Sequence, residues 1–182
     1  MTDVSDQTFW SVTWRTIVSH TVTYFFAGIL ALVLFDYDTR FSEPPLNVLM
    51  RPTDDPLVLA GVLFQPLRGL LFGVVFYLFR DRLFGQPNGW LLTWTMLVFV
   101  GILSTFGPTP GSIEGMIYTQ IPILTQLGGL IEILFQSLLL SVLTVYWVRH
   151  PQAKWLSWVL VVIFAVIVLL PTLGLLTGQA RS

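Results

Sequence analysis

Two charged side chains stand at the middle of apolar runs, Arg68 and Glu132. On insertion scales such a position costs about 2.5–3.5 kcal/mol, so a group held there normally faces protein or water and has a partner. Arg68 follows Gln65 and Pro66 in the run from Leu57 to Phe79. Glu132 lies in a run that begins at Pro122, with Thr125, Gly128, Gly129 and Gln136 on its helical face. Measured from the starts of their runs, both charges sit roughly 14–17 Å in. Equal depth predicts an ion pair between them, with Gln65 and Gln136 meeting the remaining donors and acceptors. Such a pair can simply hold helices together, or it can wall a polar cavity that takes an anionic or protonatable ligand.

Two further side chains belong to this candidate centre. His20 shares a face with Thr13, Thr16, Thr23, Tyr24, Ala27 and Ala31, a row of small and hydroxyl residues that reads as a helix-packing surface. Glu114 sits in a Pro/Gly-rich connection, where it either faces solvent or is folded over the bundle toward Arg68. The candidate ligand-binding set is therefore Arg68, Glu132, Gln65, Gln136, His20 and Glu114. No metal site is expected, because His20 and His150 lie on different segments with no shared ligand spacing. Asp36-x-Asp38 and Asp54-Asp55 are short acidic matches, and helix capping accounts for the second of them. No phosphate loop, nucleophile elbow or zinc motif occurs, so catalytic residues stay unassigned and no cofactor is expected.

The elements that must carry these residues follow from composition. Of 182 residues, 54% are hydrophobic and 10% charged, against about 25% charged in soluble domains. The expected fold is all-α: one integral membrane domain, a bundle of five spans near 12–35, 57–80, 90–106, 122–148 and 155–176. Thr53-Asp54-Asp55-Pro56 reads as the start of the second helix and Pro66 as a kink before Arg68. Gly69 and Gly73 permit close approach of another helix. The segment between Asp36 and Pro56 is acidic and broken by Pro44-Pro45, and Gly107-Pro108-Thr109-Pro110-Gly111 stops the third helix. Helices three and five both begin with paired tryptophans and reach Pro-Thr-x-Gly, a weak sign of an internal repeat.

Basic residues set the expected orientation. Arg15, Arg80, Arg82, Arg149 and Lys154 gather on one side, and Arg40, Arg51 and Arg181 on the other, so the N-terminus is expected in the cytoplasm. A net charge of −1 gives no basic field for nucleic acid, and the absence of cysteine excludes disulfides and thiolate ligation. The expected surroundings are the lipid bilayer of a bacterial cytoplasmic membrane, with a second copy or another membrane protein as partner. Function narrows to three classes. The first is an accessory or assembly subunit acting through helix contacts. The others are a transporter or channel component, and an intramembrane enzyme on a lipid-like anionic substrate.

Overall fold

The computed structural model describes residues 7–179, and all regular structure in them is helical. The long apolar runs become helices because lipid offers no partner to backbone amides, which must therefore bond within their own segment. α1 (Phe9–Phe35), α8 (Ile123–Arg149) and α9 (Lys154–Gln179) are unbroken spans. The second span, Pro56–Leu78, comprises α3 (Pro56–Leu59), a 3-10 stretch Ala60–Phe64, and α4 (Gln65–Leu78). The shorter fifth apolar helix, Gly89–Leu103, begins as α6 (Gly89–Thr95) and widens into a π-helix over Met96–Leu103. There the amide of Ser104 donates to the carbonyl of Phe99, five residues back, at 3.0 Å. Short helices α2 (Tyr37–Ser42), α5 (Arg80–Leu83) and α7 (Ile113–Tyr118) lie in the connections. The chain is thus an all-α bundle of about five spans, four of them full length. The polar tail at residues 1–6 and Arg181 lie outside the described residues.

α1 is the central helix. Val12, Thr13, Thr16 and every residue from Val18 to Thr23 are buried on it, with α4, α8 and α9 packed around. The hydroxyls tolerate burial because they donate to their own helix: Thr16 to the Val12 carbonyl at 2.9 Å, Thr21 to Ile17 at 2.9 Å and Thr23 to Ser19 at 2.8 Å. The packing face read from the sequence is real, and α4 meets it antiparallel. Ideal Cβ atoms on Gly69 and Gly73 would lie 2.6 Å from Ile17 Cα and 2.8 Å from Thr13 Cα. The small pair is consumed inside the fold and leaves no room there for another protein.

The proline in the second span acts at a different place from the expected kink. Pro66 occupies the first turn of α4, and the distortion lies before it, in the 3-10 stretch. A proline lacks the amide that would bond four residues back, so the preceding turn tightens. Pro171, by contrast, is inside α9, which continues through it to Gln179. The Pro-Thr-x-Gly match accordingly fails as a repeat. Pro108–Gly111 is a connection with Gly111 at φ +87°, and Pro171–Gly174 is helix.

The ends are tied by specific bonds. Phe9 packs edge-on to Tyr77 at 5.3 Å, and Gln7 donates to the Val148 carbonyl at 3.3 Å. The Arg149 guanidinium donates to the carbonyls of Phe84, at 2.8 Å, of Pro87 and of Gln86. One end therefore collects Arg80, Arg82, Arg149 and Lys154. At the other, Asp55 caps α3, accepting from the Leu57 amide at 2.7 Å and from Arg51 at 3.0 Å. The amide bond first and Arg51 second hold its carboxyl below the ordinary range. A depressed acid stabilises the folded form above its ordinary value and loses that contribution as pH falls through the folded one. Acidification below about pH 4 is expected to fray α3, seen as lower amide protection at Leu57 and Val58 relative to the unprotected rate at the same pH, and D55N should remove this pH dependence.

Candidate functional site

The polar groups fall into two separate centres. The first lies between α1 and α4. His20 is 1% exposed, and its Nε2 stands 3.2 Å from Oε1 of the buried Gln65. The same oxygen accepts from Arg68 Nη1 at 3.4 Å, and the Gln65 amide donates to the Gly61 carbonyl at 3.0 Å. One acceptor oxygen thus serves two donors when the His20 proton is on Nε2. His20 Nδ1 is buried without a partner, and the ring packs edge-on to Phe72 at 5.0 Å. Helical spacing explains the geometry: Gln65 and Arg68 lie three residues apart on one side of α4. Gln65 points inward to α1, while Arg68 is exposed on the bundle's outer surface.

The second centre lies where α2 covers α8. Asp36, at φ 48°, ends α1 in the left-handed conformation that aspartate tolerates, and the chain turns there into α2. The turn brings the Tyr37 hydroxyl to Glu132, to whose carboxylate it donates. Tyr37 stacks on Phe41 at 4.9 Å and on Phe35 at 6.1 Å, and the Arg40 guanidinium lies 5.8 Å from the Phe35 ring centre. Burial, then the bond to Glu132, raises the phenol above its ordinary range and keeps it a donor. Beside this contact is an open cavity of about 360 Å³, walled by Arg40, Glu43 and Leu46 on one side and Thr125 and Gly128 on the other.

The expected ion pair is therefore not formed. Among the described residues the ion pairs are Arg51–Asp55 and Arg80–Asp81. Arg68 meets Gln65, and Glu132 meets Tyr37. The two charges meet different stretches of the chain: Arg68 shares Gln65 with His20, in the middle of α1, whereas Glu132 takes its bond from Tyr37, just beyond the end of α1 at Phe35. Of the other expected members, His20 and Gln65 do join Arg68. Gln136 is half-buried with no hydrogen bond to another described residue, and Glu114 lies half-buried in the first turn of α7, without an ion pair to a described residue.

Three positions were missed from sequence. Tyr37 and Arg40 lie outside the apolar runs, and in the sequence Arg40 counts only toward orientation. Gln126 is 3% exposed and holds the connection before α8, accepting from the Gly111 amide at 3.0 Å and donating to the Ile121 carbonyl at 2.8 Å. A glutamine in the first turn of a lipid-depth helix, next to a Pro/Gly-rich segment, was the available signal. No group of three His, Cys, Asp or Glu placed to hold a metal occurs among the described residues. Comparison with known protein families, curated proteins and solved structures gives no match for this chain.

Proposed function

We propose that this chain is an accessory or assembly subunit of a membrane complex, working through contacts between transmembrane helices. One observation carries the reading. Arg68 stands half-way along a span, on the outside of the bundle, with a single 3.4 Å bond to Gln65. An outward cation at that depth is costly in an isolated chain and is relieved when a second protein covers it. The strongly basic end of the bundle supports a cytoplasmic N-terminus. A bacterial cytoplasmic membrane suits a small bundle of apolar helices of this kind. Purification from the host membrane in lipid nanodiscs, followed by intact-complex mass spectrometry, is expected to show the chain with a different polypeptide at fixed stoichiometry. A monomer or a pure homo-oligomer would overturn the proposal.

The Arg40 cavity favours a second reading, in which the chain binds an anionic ligand as part of a transporter or a lipid-active enzyme. The same measurement separates the two. A small molecule retained by the wild type and lost from R40A, with no second polypeptide, selects the ligand reading.

A further inference from the structure

We infer that Arg68 is the docking charge for a transmembrane helix of another protein, one that carries an aspartate or glutamate at matched depth. The inference rests on the subunit reading above and gives the partner's chemistry. Arg68 is twelve residues after Pro56 and ten before Leu78 in the second span. Around it on the outer face of the second span are Phe64, at the end of the 3-10 stretch, and Leu67, Leu71 and Val75 of α4, exposed by 57, 59, 61 and 38%. At i−4, i−1, i+3 and i+7 they flank Arg68 on one outward surface. This is an apolar helix surface with one cation at its centre.

The interior of the chain leaves that cation undercompensated. Gln65 offers a neutral oxygen that it shares with His20, and its amide is already bonded to Gly61. Glu132, the other charge within an apolar run, takes its bond from Tyr37, beyond the end of α1, and does not reach Arg68. A carboxylate from outside supplies the missing charge and can accept two parallel N–H bonds from the guanidinium.

Two other occupants fit less well. A lipid phosphate lies at the interface, ~15 Å from a residue at the centre of a span. A snorkelling arginine covers only part of that distance, and the rest requires the bilayer to thin. A second copy joined by a two-fold axis along α4 would set Arg68 against Arg68, since such interfaces pair each patch with itself. Gly69 and Gly73 are turned away against α1 and cannot offer a competing small-residue contact. An acidic helix from a different protein satisfies both the charge and the depth.

The test uses the full-length chain in phospholipid vesicles with a synthetic Leu/Ala transmembrane peptide carrying one central glutamate, and its glutamine counterpart. Association is read by energy transfer between labels. The glutamate peptide should bind about tenfold more tightly than the glutamine peptide. R68Q should erase that preference, R68K should keep most of it, and R68E should prefer a lysine-centred peptide. Because Arg68 faces outward, R68Q should melt with the wild type, and R68E reports the same surface by a gain of binding. Equal binding of the glutamate and glutamine peptides overturns the inference, as does a preference that survives R68Q. Self-association lost in R68Q would overturn it in favour of a second copy, and a preference seen only in anionic vesicles would do so in favour of lipid phosphate. If the peptides bind equally while the intact complex still holds a second polypeptide, the subunit reading stands on another face. A monomer there discards both.

Discussion

Replacing Gly69 with alanine is expected to destabilise the bundle, by about 1–3 kcal/mol. The added methyl would lie 2.6 Å from Ile17 Cα and 3.2 Å from its carbonyl oxygen. Both are backbone atoms, so no rotamer change relieves the clash, and α1 and α4 must move apart. Separation weakens the whole antiparallel contact, including Gly73 against Thr13 and the His20–Gln65 bond at 3.2 Å. Helix propensity opposes this: alanine gains up to about 1 kcal/mol over glycine in a helix. Gly28 isolates that term, because a Cβ there meets nothing within 4 Å. G28A should therefore be neutral or stabilising, G69A clearly destabilised, and G69A/G73A worse still. Thermal unfolding in detergent micelles is the measurement, and a G69A melting temperature equal to that of G28A would falsify the close-contact account. Loss of a complex in G69A or G73A would report a loosened fold, since neither glycine faces outward.

Burial and periodicity made the helices legible. Runs long enough to cross lipid have few alternatives to helix, so the spans were expected close to where they lie, with ends within a few residues. Spacing along one helix also placed Gln65 with Arg68, and the hydroxyl face of α1 with His20. What spacing cannot give is the order of helices around the bundle. Counting from the run starts sets Arg68 and Glu132 at equal depth, yet Arg68 lies beside His20 in the middle of α1 and Glu132 beside Tyr37 past its end. The Tyr37 contact depends on a left-handed turn at Asp36, a conformation only weakly encoded by one aspartate. Likewise, Gly69 and Gly73 announced a close approach correctly without naming the helix that makes it.

Gln126 offers the other large effect, and it is local. Its side-chain oxygen accepts from the Gly111 amide at 3.0 Å. Its nitrogen donates to the Ile121 carbonyl at 2.8 Å and lies 3.2 Å from Thr119 Oγ1 and 3.3 Å from the Gly115 carbonyl. Two amide hydrogens serve three acceptors, so the Ile121 bond and one shared bond are the most that form together. Truncation to alanine leaves the Gly111 amide and the Ile121 carbonyl buried without these partners, at about 1–3 kcal/mol for each. Q126E keeps an acceptor for Gly111 but turns a carboxylate oxygen toward the carbonyls of Ile121 and Gly115, so it should fail as well. The cost falls on the connection carrying α7, while the α1–α4 contact is untouched. Amide exchange at Gly111 and Thr119 is expected to accelerate at least tenfold in Q126A, with Ile17 and Leu70 unchanged. Q136A is the matched control, a glutamine on the same helix with no hydrogen bond to another described residue. Equal exchange in the two variants would show that the connection is held by its own turns and by the Ser112 cap on the Gly115 amide at 2.9 Å, and that Gln126 is incidental.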